Sequence, residues 1–236
     1  MQLRELDPAL ARELEDESTP ESALKRLGYT ILGSGHHAAV ATRPGAAWVL
    51  KVFDRRDSYP LYVEYAVKHR DNPHVPRFYT DREAMRMSGQ TGGEAQVIIE
   101  IDDWFRAVHM ERLKPVSWDA AMLMFRPELY GALLLGIKLG RRVYRREIQE
   151  IMEKRLVKML ALPPDHLQNL RAFAQDTAEW PRLWTRLQRA PSESWMALVE
   201  DLTTMAHGSR GRTQMDLSED NIMLRGNTLV LTDPVA

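Results

Sequence analysis

The sequence predicts an α+β protein in which a strand-rich part is followed by a helical part. Two apolar, β-rich runs, at residues 38–42 and 47–53, lie among glycine- and proline-containing turns in the first half of the chain. After residue 115 the pattern becomes helical, and Trp195, Leu198 and Val199 begin one apolar helix face. Strands first and helices afterwards are typical of an α+β fold, not of alternating βαβ units.

The composition excludes several classes of protein. The 236 residues include 32 lysines and arginines and 33 aspartates and glutamates, so the formal charge is −1 and gives no reason to expect a nucleic acid or membrane partner. Cysteine is absent, which excludes disulfide scaffolds and thiolate metal sites. The longest apolar run, 131–140, contains Lys138 and is too short to span a membrane. These features, with a charged N-terminus, favour a cytoplasmic protein.

Changes in pattern divide the chain into an N-terminal helical segment at 1–28, a β-rich domain at 29–113 and a helical domain at 114–236. The β-rich domain is expected to hold a single helix, at 59–69. Further strands are expected near 75–79, 96–101 and 104–113. Helices of the second domain are expected at 117–125, 131–158, 164–177 and 192–206. Two apolar runs around Gly226-Asn227 predict a closing hairpin.

The strongest chemical signal lies around this hairpin. Asp216 and Asn221 are five residues apart in a loop that follows an amphipathic helix, and Asp233 follows the second hairpin strand. The hairpin therefore returns Asp233 to the vicinity of Asn221. Carboxylate and amide oxygens suit a hard divalent ion such as Mg²⁺. Taken alone, an Asp-x4-Asn spacing is more often an ordinary polar turn, and that alternative remains open.

These residues resemble the catalytic loop and the metal-binding aspartate of the protein-kinase superfamily, His-Arg-Asp-Leu-x3-Asn followed by Asp-Phe-Gly. The resemblance implies that Asp216 accepts or orients the proton of a substrate hydroxyl, and that Asn221 and Asp233 hold Mg²⁺ on the phosphates of ATP. This chain departs from the family pattern at several positions, including two in or beside the catalytic loop. Gln214 replaces the histidine, and Ser218 replaces the lysine that positions phosphate.

Two motifs in the β-rich domain resemble the phosphate-binding part of the same family. Gly33-Ser34-Gly35-His-His-Ala-Ala-Val40 resembles the glycine-rich loop Gly-x-Gly-x-x-Gly-x-Val, although an alanine stands at the third glycine. Val-Leu-Lys51 resembles the strand whose lysine contacts the phosphates, 18 residues after Gly33. Each match alone has a simpler explanation, a hairpin turn in one case and an exposed strand lysine in the other.

Two further groups of residues complete the resemblance. Glu64, on the next predicted helix, would form an ion pair with Lys51. Met110-Glu111-Arg112-Leu113 resembles the hinge of the family, which implies that backbone groups of Glu111 and Leu113 bind adenine. A solvated helix position is an equally simple explanation of Glu64.

The whole resemblance implies a bilobal protein-kinase-like fold. Residues 29–113 would form a nucleotide-binding antiparallel β lobe with one key helix. Residues 114–236 would form a helical lobe enlarged by an insertion at about 125–190 and truncated after the metal-binding aspartate. The chain looks most like the early serine/threonine kinases of short-tailed lytic bacteriophages. This implies Mg-ATP-dependent phosphorylation of host proteins, including transcription and RNA-processing proteins, in the host cytoplasm without a membrane or nucleic acid partner.

Two alternative functions remain open. Small-molecule kinases of the aminoglycoside or choline type also carry large helical insertions and Asp-x4-Asn loops, but the mixed charge of residues 114–190 does not favour a cationic substrate. A pseudokinase-like binding protein that inhibits a host factor is the third hypothesis.

Two further features receive a structural and a regulatory interpretation. A basic stretch is interpreted as a solvated face that pairs with Glu147, Glu150 and Glu153 of the same helix; it comprises Lys138, Arg141, Arg142, Arg145 and Arg146. Phosphorylation of Ser218 would place about 1.5–2 negative charges beside the bound phosphates and switch the protein off.

Overall fold

The protein is α+β, as the sequence predicts, with an antiparallel sheet and many helices. The computed structural model describes residues 10, 12–14, 19–34, 38–89, 91–163, 167–208 and 215–234. The chain divides into two compact units. The first unit contains the described residues up to Arg70 together with Pro76–Leu113, and the second contains Asp71–Val75 together with the described residues from Lys114 onwards.

The first unit is built on a six-stranded sheet in which every pairing is antiparallel. Its strands follow in the order β1, β2, β3 and β6, and both β4 and β5 pair with the free side of β6. The strands are β1 Thr30–Ser34, β2 Ala38–Thr42, β3 Trp48–Asp54, β4 Phe78–Tyr79, β5 Ile98–Glu100 and β6 Phe105–Glu111.

In the described part of the first unit, this sheet is accompanied by the helices α1 Pro20–Arg26, α2 Tyr59–Lys68 and α3 Asp81–Met87. Residues of α1 pack with Leu50 and Val52 in a core on one face of the sheet. On the other face, the α2 residue Tyr59 packs edge-on against Phe53 of β3, with ring centroids 5.2 Å apart. Sequence analysis missed α3, although its Thr80/Glu83 capping box is visible in the sequence.

The second unit contains six helices and a small sheet among its described residues. The helices are α4 Trp118–Met124, α5 Arg126–Lys138, α6 Arg146–Leu160, α7 Leu167–Gln175, α8 Trp180–Leu187 and α9 Glu193–Gly208. The sheet has the antiparallel order β7 Lys114–Pro115, β8 Ile222–Arg225 and β9 Thr228–Leu231. The predicted hairpin is confirmed: Gly226, at φ +60°, turns the chain between β8 and β9.

One helix expectation is wrong. The stretch 131–158 is two helices, because α5 ends at Lys138 and α6 begins at Arg146. Gly140 adopts φ +67°, and the amide of Arg141 donates to the carbonyl of Gly136 at 2.7 Å. This is the left-handed glycine ending of a Schellman motif, which stops a helix whatever the propensity of the following residues. The short helix α8 was also not predicted.

Within the described ranges, no single helix has both the length and the apolar character needed to cross a membrane. Taken together, α4 and α5 pass that test, but they meet at a bend of 95°.

Candidate functional site

Three predicted nucleotide-binding residues lie in one row across the first sheet. Gly33 of β1 is directly opposite Val40 of β2, and Val40 is directly opposite Lys51 of β3. Directly opposed residues on neighbouring strands present their side chains on the same face. The hairpin and strand registers therefore place the end of the glycine-rich motif and the lysine side by side. Ser34 lies exposed at the end of β1, and Gly35 lies outside the described residues.

Lys51 is buried, with 4% of its surface exposed. Its Nζ lies 3.4 Å from the centre of the Tyr59 ring. A buried ammonium group is costly unless its charge is compensated, and a cation–π contact supplies part of that compensation. The contact holds a positive charge at a defined place beside Val40, and phosphate binding by Lys51 stays a prediction.

The structure does not bring Glu64 to Lys51. The α2 helix turns Tyr59, Tyr62 and Tyr65 into the protein, whereas Glu64 lies on its exposed side. No ion pair joins Lys51 and Glu64, both of which are in the described part of the chain, and the Tyr59 ring lies beside the lysine instead. The expected pair is therefore wrong, because the apolar positions of α2 point the glutamate to solvent.

Glu111 and Leu113 lie at the end of the first unit. The amide of Glu111 donates to the carbonyl of Arg77 at 2.9 Å, and its carboxylate accepts from the Arg77 amide at 2.7 Å. These bonds fix the strand end just before Leu113, which is half-buried. Adenine binding by the backbone of Glu111 and Leu113 stays a prediction.

In the second unit, hydrogen bonds connect the three predicted catalytic-loop residues. The side-chain Nδ2 of Asn221 donates to the backbone carbonyl of Asp216 at 3.0 Å. The amide of Thr232 donates to the Asn221 carbonyl at 2.9 Å, and the amide of Asp216 donates to the Pro234 carbonyl at 2.9 Å. Since Asp233 lies between Thr232 and Pro234, the loop and the end of β9 are tied together on both sides of it.

The Asp216 carboxylate is held in a fixed orientation. Its Oδ1 accepts from the Ser218 amide at 3.1 Å, and its Oδ2 accepts from Nε of Arg145, also at 3.1 Å. Arg145 is 71 residues away in the sequence and was not predicted as a site residue. No local spacing signals such a contact. A charge-assisted bond of this kind is stronger and more directional than one between neutral groups.

The residues present fit a magnesium ion held jointly with nucleotide phosphates. Asn221 donates through Nδ2 and its Oδ1 is an acceptor, while the half-buried Asp233 follows Thr232, whose amide donates to the Asn221 carbonyl. Mg²⁺ usually takes one or two protein oxygens and completes its shell with phosphates and water. The described residues contain no group of three or more histidine, cysteine, aspartate or glutamate ligands that would bind a metal alone.

Ser218 is 3% exposed, and its Oγ has no hydrogen-bond partner among the described residues. A phosphate group would have to enter a position that is closed to solvent. The structure therefore argues against the phosphorylation switch expected at this residue.

A separate cavity of about 460 Å³ lies among the helices of the second unit and contains none of the predicted site residues. Its lining residues are Asp119, Met122, Leu123, Arg126, Tyr130, Arg155 and Met159.

Comparison with known proteins gives weak structural similarity and no sequence match. No family model matches the chain, and no curated protein matches it. Among solved structures, the ADP-bound crystal structure of the aminoglycoside phosphotransferase APH(2'')-Ib is 13% identical, and the alignment covers 92% of this chain and 70% of that chain. Its TM-score is 0.28. A score this low does not establish a shared fold.

Proposed function

We propose that the protein is a Mg-ATP-dependent phosphotransferase that acts on serine and threonine hydroxyls of other proteins. The observation that carries the proposal is the hydrogen-bonded set formed by Asp216, Asn221 and the Thr232–Pro234 segment. Such a set presents one fixed carboxylate together with two further oxygen ligands. The row of Gly33, Val40 and Lys51 on the first sheet supports it independently.

In the proposed reaction, the acceptor hydroxyl oxygen forms a bond to the γ-phosphorus while the bond from that phosphorus to the bridging oxygen of ADP breaks. The hydroxyl proton passes to the Asp216 carboxylate, whose two hydrogen bonds hold it in place. Lys51 contributes a fixed positive charge to the phosphates. Because little covalent chemistry is required of the protein, orientation of the acceptor by Asp216 supplies much of the catalysis.

Asn221 and Asp233 are the residues that would hold Mg²⁺. When bound, the ion would neutralise negative charge on the phosphates. The chain's part is to present the Asn221 Oδ1 and the Asp233 carboxylate with a fixed backbone between them, which the bonds of Asn221 and Thr232 provide.

The proposal is tested by comparing Asp216→Asn with Asp233→Asn. Mg-nucleotide at about 100 times its Kd stabilises a protein by about 2.7 kcal/mol. For a chain of this size, that corresponds to a melting shift of several degrees. Asp216→Asn should keep the shift and lose phosphoryl transfer by about 10²–10⁴-fold, because it removes a base and not a metal ligand. Asp233→Asn should lose most of the shift as well as transfer.

Transfer is measured with γ-labelled ATP and a bacterial lysate, and separately with aminoglycosides and choline as acceptors. Label appearing in lysate proteins supports the proposal. Label appearing only in the small molecules would establish the small-molecule kinase instead. A parent protein that shows neither a Mg-nucleotide shift nor any transfer would be a binding protein without kinase activity.

A further inference from the structure

The loop between α5 and α6 carries an unusual concentration of positive charge. We call residues 141–146 the arginine segment; it contains no acidic residue and four arginines, Arg141, Arg142, Arg145 and Arg146. The expected pairing of the whole basic stretch with glutamates of its own helix is wrong. Within the described residues it is limited to Arg146 and Glu150, at 3.0 Å. Because the chain turns at Gly140 and α6 begins only at Arg146, the other three arginines lie outside that helix.

Buried residues anchor the arginine segment beside the Asp216 loop. The carbonyl of Val143 accepts from the amide of Leu217, the residue after Asp216, at 3.0 Å. The hydroxyl of Tyr144 donates to the carbonyl of Leu129 on α5 at 2.7 Å. Both Val143 and Tyr144 are fully buried, so the position of the next residue, Arg145, is well defined.

Three arginines of the segment are exposed, and the described carboxylates that form ion pairs with them are Asp216 and Glu150. Arg145 contacts Asp216 through Nε, yet 58% of its side chain is exposed. Arg142 is exposed, and its side chain has no hydrogen bond or ion pair to any described residue. Arg146 contacts Glu150 but is 71% exposed. Three exposed arginine side chains therefore lie within residues 142–146, and that of Arg145 contacts the Asp216 carboxylate, which is assigned to the acceptor hydroxyl.

We propose that the arginine segment selects an acidic polypeptide, in which aspartate and glutamate side chains flank the phosphorylated serine or threonine. This inference rests on the proposed function and specifies its substrate. A hydroxyl bound by Asp216 brings its flanking groups within a few ångströms of Arg145. Guanidinium groups bind carboxylates through paired hydrogen bonds, whereas a polycationic acceptor would meet like charges at the same place.

A polypeptide is favoured over a nucleic acid by the position and the extent of the charge. The basic surface adjoins the carboxylate where the acceptor hydroxyl binds. Nucleic acid binding, in contrast, depends on many phosphate contacts along an extended basic surface. The formal charge of this chain is −1.

The experiment uses three serine peptides of equal length, flanked by Asp and Glu, by Asn and Gln, or by Lys. The acidic peptide should have the lowest KM and the lysine peptide the highest, and raising the salt concentration should reduce the difference. The variant Arg142→Gln/Arg146→Gln should raise the KM for the acidic peptide by about 3- to 20-fold, on the scale of two exposed ion pairs, and should leave kcat and the KM for the neutral peptide unchanged. Arg145 is kept intact because it touches Asp216.

The matched control is Lys154→Gln/Arg171→Gln, which removes the same charge from exposed positions elsewhere in the second unit and should change no KM. Binding of an acidic peptide with alanine in place of serine, followed by fluorescence anisotropy, gives a readout that does not need phosphoryl transfer. Arginine-dependent binding without transfer would support recognition of acidic polypeptides by the arginine segment and contradict the proposed function.

Three results would overturn the inference. The first is transfer to the neutral peptide with the same KM as to the acidic one. The second is an equal loss in the control variant, which would show a general charge effect. The third is an RNA oligonucleotide that binds the parent more tightly than the acidic peptide does and depends on the same two arginines, since this would assign the surface to a nucleic acid.

Discussion

The two units hold their functional groups by different means. In the first unit, Val40 and Lys51 are placed by strand register, and the Tyr59 ring packs beside the lysine. In the second unit, Asp216 and Asn221 lie in a loop and are placed by hydrogen bonds from particular side chains and amides. Register depends on many residues at once, whereas a loop network depends on each of its bonds. The first arrangement should therefore tolerate substitution better than the second.

Two buried histidines show the same contrast. His109 of β6 is fully buried, and neither ring nitrogen has a partner among the described residues. Its main contact is the edge of Trp48, with ring centroids 4.5 Å apart. His74 in the second unit has both nitrogens engaged, with the Leu229 carbonyl at 2.7 Å and the Ser192 hydroxyl at 2.8 Å. His109 therefore only packs in the core, whereas His74 joins segments that are distant in the sequence through its hydrogen bonds.

The largest expected effect tests the first unit. Lys51→Met keeps the apolar length of the side chain and removes its charge, so phosphoryl transfer should fall by about 10²-fold while the protein stays folded. Transfer of γ-labelled phosphate measures the rate, and circular dichroism measures the fold. The control Lys68→Met, at an exposed position of α2, should keep full activity. Equal activity of the Lys51 variant and the parent would remove this residue from the site.

Replacing a buried histidine by leucine should change the free energy of unfolding in opposite directions in the two units. His109→Leu should raise the free energy of unfolding by about 1 kcal/mol at pH 7, because two unpaired ring nitrogens disappear from the core. His74→Leu should lower it by a similar or larger amount, because the partners at Leu229 and Ser192 lose their bonds. Denaturant titrations measure both values. If both substitutions changed the free energy of unfolding in the same direction, the difference between the two histidines would be contradicted.

The pH dependence sharpens this test. Burial lowers the pKa of His109 from 6.5 to about 4. The unfolded chain takes up a proton near pH 6.5 and the folded chain does not, so stability is complete above pH 6.5 and falls below it, by about 2 kcal/mol at pH 5. Burial also lowers the pKa of His74, although the hydrogen bond of its ring to the Leu229 carbonyl opposes this shift, so His74 contributes with the same sign. His109→Leu should therefore reduce the loss of stability below pH 6.5, and the part of that loss that comes from His74 should remain.

A smaller effect is expected at Asn221, where two roles can be separated. Asn221→Asp keeps an oxygen ligand but loses the donor to the Asp216 carbonyl, and Asn221→Leu loses both. Both variants should lose about 1 kcal/mol of stability. Melting curves with and without Mg-nucleotide should show that the aspartate variant keeps the ligand shift and the leucine variant does not. Loss of the shift in both would make Asn221 a structural residue only.

The smallest effect is expected at Gly33. Its φ is not in the left-handed region, and a Cβ added there would meet no atom within 4 Å, so packing does not require a glycine. Gly33→Ala should leave the melting temperature unchanged but weaken ATP binding about 2- to 10-fold, the value of one hydrogen bond to phosphate. Calorimetric titration measures the affinity. Unchanged affinity would reduce this glycine to an ordinary hairpin residue.

The sequence predicted the elements that depend on local chemistry. The turn at Gly226 and the strands around Lys51 follow from residue type and alternation, and the structure contains them. The helix break at Gly140 was missed because the arginines beyond it are good helix formers, so the propensity concealed the glycine stop. The outward position of Glu64 depends on which face of α2 packs against the sheet. The contact of Arg145 with Asp216 joins residues 71 positions apart and has no local signal.

The assignment of Asp71–Val75 to the second unit, between two stretches of the first, has a consequence for synthesis on the ribosome. The amide of Leu231 donates to the His74 carbonyl, and Arg225 donates to the carbonyls of Pro73 and Val75 across about 150 residues of chain. Residues 71–75 emerge from the ribosome with the first sheet. The carbonyls of Pro73, His74 and Val75 gain these hydrogen-bond donors only after the β8–β9 hairpin has been translated. During that interval the turns between α2 and β4 lack these hydrogen bonds and are accessible to chaperones and proteases. Nascent chains halted before residue 222 should be cleaved between residues 70 and 76, and chains that include β9 should resist cleavage there.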